Sequence, residues 1–203
     1  MGAATGKTAI FNKAIVLLGS RESLLSHDEA IPSAQSLTAL WDIARRSALA
    51  LHPWNFAVTR QKLQRDTKAP DFGYAFRYKR PADCLRWLPW DSDDPFHFRG
   101  EEEGDYFLTD DEELHLRFIS DHGDTTKWSA LFVDVLAYTL AAEYCEAKTG
   151  MKGLRSSLLD EREALLRHAR RADGLATGNR NRRRSVFSSR WAGARYRNGN
   201  LGR

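Results

Sequence analysis

The chain has 203 residues, 42% of them hydrophobic and 29% charged, with a formal net charge of +4; a chain of this length forms one domain that buries roughly 70% of its unfolded surface and needs no disulfide or metal staple. The charge is unevenly placed: residues 178–203 hold eight Arg and no Lys, Asp or Glu, so of 31 basic and 27 acidic residues the first 177 positions keep 23 basic against 27 acidic, a net −4, while the last 26 carry +8. The N-terminus lacks a charged region ahead of a long apolar stretch, and no window approaches the about 18 uninterrupted apolar residues of a spanning helix, so neither secretion nor a membrane partner is expected.

Phe11, Ala14, Ile15 and Leu18 recur at three-and-four spacing with Gly19 behind them, which predicts a first helix over about 8–19. The Pro32-Ser33 pair opens a second, over about 33–52, with Leu37, Leu40, Trp41, Ala44, Ala48 and Leu51 as its apolar stripe and Pro53 as its stop. His52, at that helix end, is expected to cap it as an imidazolium.

Over about 57–121 the period changes, and aromatic and β-branched residues stand between Pro, Gly and Asp. Strands are expected at Phe72 to Tyr78, Leu85 to Trp90, Tyr106 to Thr109 and Leu114 to Ile119, in one small antiparallel sheet. In the last of these, Leu114, Leu116 and Phe118 alternate with His115 and Arg117, the pattern of a strand with one wet face. Trp54 and Phe56 read as core anchors at the entrance to this insertion.

Thr125 or Thr126 is expected to cap a third helix over about 125–149, with Trp128, Leu131, Phe132, Val135, Leu136, Leu140 and Tyr144 inward and Gly150 ending it. A fourth, about 154–173, turns Leu158, Leu165, Leu166 and Ala169 inward and Glu161, Arg162, Arg167 and Arg170 outward. The expected fold class is α+β, mainly α: a four-helix bundle with a small antiparallel β insertion between helices 2 and 3 forms a body over 1–177, followed by a basic C-terminal arm over 178–203. The arm has too few aliphatic residues for a core and too much like charge to collapse, so it is expected to be disordered when free.

The chemistry-bearing residues form no catalytic constellation. Met1 to Thr8 reads MGAATGKT, but a phosphate-binding loop needs a glycine five places before Gly6, and no strand precedes it. His27, His52, His97, His115, His122 and His168 have no His or Cys partner at a zinc spacing. Cys84 and Cys145 lie far apart among apolar neighbours and read as buried free thiols in a reducing compartment. No nucleophile elbow is present, and Asp91-Ser92-Asp93-Asp94-Pro95 departs from a calcium loop. No catalytic, cofactor or metal residue is assigned, and an enzyme is not expected. The carboxylate runs, Asp91, Asp93 and Asp94, then Glu101, Glu102 and Glu103, read as solvated loops, as a surface for a basic partner or as weak cation binders.

In the arm, Phe187, Trp191 and Tyr196 stand at intervals of four and five residues among Arg180, Arg182, Arg183, Arg184, Arg190 and Arg195. Arg with Trp and Tyr is the composition of protein-interface anchors. The alternative is a nucleic-acid-binding protein that neutralises phosphates through the same arginines.

Several segments resemble a known family. Phe11-Asn12-Lys13-Ala14-Ile15-Val16-Leu17-Leu18-Gly19, Trp41-Asp42-Ile43-Ala44-Arg45-Arg46, Leu51-His52-Pro53-Trp54-Asn55-Phe56-Ala57, the Y-x-x-P-x-D-C-L-R segment from Tyr78 to Arg86 and the small-residue run from Val135 to Ala142 together resemble the head-to-tail connectors of tailed bacteriophages, of the podophage tail tubular protein A type, over roughly residues 10 to 175. The resemblance implies a virion protein at the head-to-tail interface, made in the host cytoplasm. It would form a dodecameric adaptor ring that docks on the portal protein after DNA packaging, carries a downstream tail protein (nozzle or tail tube) and lets genomic DNA pass without sequence-specific binding. It further implies that the arm, through Arg180, Arg182, Arg183, Arg184, Phe187, Arg190, Trp191, Arg195 and Tyr196, anchors to the portal. The acidic loops with Asp91, Asp93, Asp94, Glu101, Glu102 and Glu103 would line the lumen or face the tail.

Overall fold

The computed structural model describes residues 6–90, 96–150 and 152–176. Within them lie four helices, α1 (Lys7–Leu17), α2 (Pro32–Ala50), α3 (Ala130–Thr149) and α4 (Lys152–Ala176), and six strands between α2 and α3: β1 (Val58–Leu63), β2 (Phe76–Lys79), β3 (Cys84–Trp87), β4 (Gly100–Glu103), β5 (Tyr106–Thr109) and β6 (Leu114–Ser120). The chain is thus mixed α/β, with two small antiparallel sheets where one was expected. The first has the order β1-β6-β3 and the second β2-β5-β4.

α3 is the centre of the helical layer. Phe132, Val133, Val135, Leu136, Ala137, Thr139, Leu140, Ala141, Ala142, Tyr144 and Cys145 are all buried, so over its middle turns only Asp134, Tyr138 and Glu143 reach water. α1, α2 and α4 each pack against it. A helix so broadly apolar is stable only when largely enclosed, and the alanines allow close approach of the neighbours. Its ends are set locally. Ser129 Oγ accepts from the Phe132 amide at 3.2 Å, and Gly150 closes the helix at φ 67, a left-handed conformation that glycine adopts without a Cβ penalty.

The expected start at Thr125 or Thr126 is corrected: Thr125–Lys127 forms a separate 3-10 turn capped by Asp124. Trp128 breaks the run between the two because its indole is used elsewhere, stacked on Trp41 at 5.9 Å and donating from Nε1 to the His122 carbonyl at 3.2 Å. α2 likewise ends at Ala50, ahead of Pro53. Trp54 is fully buried, its Nε1 donating to the Ala48 carbonyl at 3.0 Å, and Phe56 packs beside it against Phe132 at 5.1 Å, so the junction anchors the core as expected.

β6 joins the two halves of the body. Its Leu114, Leu116 and Phe118 enter a second core with Leu63, Tyr78 and Phe107, between the two sheets, while Ile119, on the opposite face, belongs to the helical core. The face expected to be wet is half-buried at His115 and Arg117. His115 lies against Phe96 at 4.8 Å, and the Arg117 guanidinium sits 5.5 Å from the Trp90 ring. The strand expected over Phe72 to Tyr78 shortens to Phe76–Lys79, leaving Phe72 exposed in the preceding loop. That expected over Leu85 to Trp90 becomes Cys84–Trp87. Both cysteines are free and buried, and burial pushes the Cys84 thiol up.

The enclosed position of α3 predicts a large effect at its middle. Leu136→Ala, at a site with no exposure, should cost about 2–5 kcal/mol in urea unfolding; a loss below about 1 kcal/mol would show that the helix is not tightly enclosed.

Candidate interaction surface

Glu101, Glu102 and Glu103 are not in a loop. They form β4, an exposed strand at the edge of the second sheet, paired with β5 so that Glu101 faces Leu108, Glu102 faces Phe107 and Glu103 faces Tyr106. Acidic residues carry little strand propensity; the strand exists because Tyr106, Phe107 and Leu108 pair it on one side and because Gly100 lets it come close. A Cβ at Gly100 would lie 1.9 Å from the Leu108 carbonyl oxygen.

The pairing divides the carboxylates between two faces. Glu102 shares the face of buried Phe107 and pairs with Arg80 at 2.8 Å. Glu101 and Glu103 stand on the outer face with Arg77 and Tyr106, whose cation–π contact is 4.5 Å, and with Phe72 and Tyr74 they line a surface depression of about 300 Å³. Burial, and next the Glu101 carboxylate, raise the Tyr74 phenol above its ordinary value. The depression is shallow, open, aromatic and anionic, a form suited to the side chains of another macromolecule.

A second constellation lies where α4 ends. Asp173 accepts from the Asn55 amide at 3.2 Å and sits 3.1 Å from His52 Nε2; Asn55 Nδ2 donates to the Asp173 carbonyl at 3.1 Å, and Arg170 reaches the Leu51 carbonyl at 3.4 Å. These bonds tie the last turns of α4 to the α2–β1 junction, a few residues before the Arg-rich segment starts. His52 is not the imidazolium cap expected. Burial holds its imidazole below the ordinary value, against the opposing pull of Asp173, and its ring lies edge-on to Trp54 at 5.0 Å.

Other polar groups fasten the helices. Lys148 pairs with Glu22 and donates to Ser33 Oγ at 3.1 Å, so the α1–α2 loop is held to the end of α3, and the Lys148 and Ser33 bonds keep the Glu22 carboxyl below its usual range. Arg45, buried in α2, pairs with Asp121 just after β6. Lys13 of α1 pairs with Asp134 of α3. Each connects elements distant in sequence, which is why sequence periodicity gives no sign of them.

Of the site residues expected from sequence, Arg180, Arg182, Arg183, Arg184, Phe187, Arg190, Trp191, Arg195 and Tyr196 lie outside the described residues, as do Asp91, Asp93 and Asp94. Glu101, Glu102 and Glu103 come together, corrected from loop to strand. Tyr74, Arg77, Tyr106 and exposed Phe72 were not anticipated beside them; the period-two spacing of Tyr106 and Leu108 was the available signal. Among the described residues there is no group of three or more His, Cys, Asp and Glu that could hold a metal ion, and no helix is long and apolar enough to cross a membrane. No protein-family model matches this chain, and no curated protein matches it.

The His52 environment fixes a pH dependence. Because the folded state lowers the imidazole, the neutral ring stabilises fully above the ordinary value of about 6.5, and the contribution is lost as pH falls below it. An NMR titration should place the His52 midpoint below about 6.5. Asp173→Asn should lower it further, since the carboxylate is the group that favours the charged ring; a midpoint that rises in the variant contradicts the assignment.

Proposed function

We propose that this protein is a structural head-to-tail adaptor of a tailed bacteriophage, a subunit of a ring, dodecameric by the family resemblance, that docks on the portal protein once DNA is packaged. One observation carries the reading: a body whose two cores close within residues 6–176 is followed, directly after the His52–Asp173–Asn55 latch, by 26 residues holding eight arginines and no acid. A polycation leashed to a self-sufficient body is a device for gripping something else, and tethering raises its effective concentration at the docked surface. The packing of α1, α2 and α4 against α3, with the sheets between α2 and α3 in the chain, is consistent with the expected bundle and its insertion.

In this reading the arm, from Arg180 to Tyr196, grips the portal, with Phe187, Trp191 and Tyr196 as anchors and the arginines as charged contacts. A body of net charge −4 repels phosphate, which suits a conduit for genomic DNA. The carboxylates Asp91, Asp93 and Asp94 serve the lumen or the next tail protein. The work is done in the virion after assembly in the host cytoplasm, with no catalytic step and no cofactor.

Sedimentation of the chain with cognate portal rings tests this. The full-length protein should form a stable complex, and a variant ending at residue 177, with an unchanged circular dichroism melt, should bind at least about tenfold more weakly. No complex, or one equally stable without the arm, contradicts it. Duplex DNA in place of the portal separates the nucleic-acid alternative, which requires binding that falls steeply with salt.

A further inference from the structure

The four sheet edges are not treated alike. At β2, Arg65 bridges Tyr78, the Asp66 amide donates to the Arg77 carbonyl at 2.9 Å, and the Asp66 carboxylate pairs with Arg77 at 2.8 Å. At β3, the Arg80 guanidinium takes the Cys84 carbonyl at 2.6 Å and the Leu85 carbonyl at 3.1 Å, and α2 packs alongside. β1 and β4 each have a single strand neighbour, and among the described residues no backbone hydrogen bond reaches the outer side of β1 beyond Val58 or of β4. Two edges are covered and two are open.

The open pair is opposite in charge. β1 presents exposed Arg60 and Lys62, two residues apart on one face, where they pair with Arg117 and His115 of β6. β4 presents Glu101 and Glu103, also two apart, on the outer face of its sheet. An open edge is a template for another strand, and the charges decide which strand. Arg60 and Lys62 against their own copies repel, as do Glu101 and Glu103 against theirs, so the symmetric pairings β1–β1 and β4–β4 are disfavoured. Basic edge against acidic edge remains, at matching two-residue spacing.

We propose that β1 of one copy pairs with β4 of the next, making a continuous sheet across the subunit boundary. The contact is heterologous, so every copy offers one edge and accepts one, and repetition gives a ring when the rotation closes. Main-chain bonds supply adhesion, and the cross-strand Arg60 and Lys62 to Glu101 and Glu103 pairs supply direction and partner choice. Lys62 now pairs with Glu113 at 2.6 Å within its own copy, both side chains more than half exposed, and exposed pairs of that kind exchange partners at little cost. Such pairing deepens the adaptor reading, on which it rests for the expectation that copies assemble.

Sedimentation velocity of the full-length chain at low salt, without portal, tests it with two variants, Arg60→Glu with Lys62→Glu, and Glu101→Lys with Glu103→Lys, both checked for an unchanged melt. The unsubstituted protein should self-associate, and less so as salt rises. Each variant alone should associate roughly tenfold or more weakly. An equimolar mixture should recover assembly, because the acidic β1 of one variant meets the basic β4 of the other. A chain that stays monomeric, variants that associate like the unsubstituted protein, or a mixture that does not recover overturns the pairing. None of these outcomes touches portal capture, which is read in a separate assay; copies that associate without capturing portal would leave the pairing standing and defeat the adaptor reading.

Discussion

Enclosure of α3 is the constraint on which the body depends. From Phe132 to Cys145 every residue except Asp134, Tyr138 and Glu143 is buried, and so broadly apolar a segment cannot be left half in water. The remaining helices and the α2–β1 junction are arranged to cover it: α1 by Phe11 and Ile15, α2 by Trp41 and Ala44, the junction by Trp54 and Phe56, α4 by Leu158 and Leu166. Polar bonds then fasten the covering elements. Glu22–Lys148, Lys13–Asp134 and Arg45–Asp121 each reach across more than 70 residues of chain, and the His52–Asp173 contact does the same for α4.

The sheets follow from what the helical core leaves open. β6 lays Ile119 against the helices and Leu116 and Phe118 against the second sheet, so one strand transmits position from the first core to the second. With apolar residues spent on these two interiors, the outer strands carry charge. Where an edge must stay shut, an arginine or a short bridge shuts it; where it is open, its charge selects the company it can keep. The same division of charge holds for the whole chain, a net −4 over residues 1–177 and +8 over the last 26.

Much of this was legible in the residues, and the exceptions have physical causes. The three-and-four spacing of Phe11 to Leu18, of Leu37 to Ala48 and of Leu158 to Ala169 marks helices because each buries one stripe, and the alternation in β6 marks a strand because Leu114, Leu116 and Phe118 share a face. β1 and β4 left no such trace. An edge strand with charged side chains, Arg60, Gln61 and Lys62 or three glutamates, gains its structure from backbone pairing with a neighbour, which periodicity does not record. The start of α3 was misplaced by three to four residues because Thr125, Thr126 and Ser129 are all competent caps, and only the tertiary contacts of Trp128 select Ser129. Of the expected surface residues, Glu101, Glu102 and Glu103 were identified by charge but not by conformation.

The central claim is that a complete body uses a cationic arm and paired copies to seat itself on another ring. Negative-stain images of cognate portal mixed with the full-length chain test that claim most directly. The account predicts a second ring stacked coaxially on the portal, with the same rotational order in end views. Portal rings that remain bare at saturating protein would contradict it.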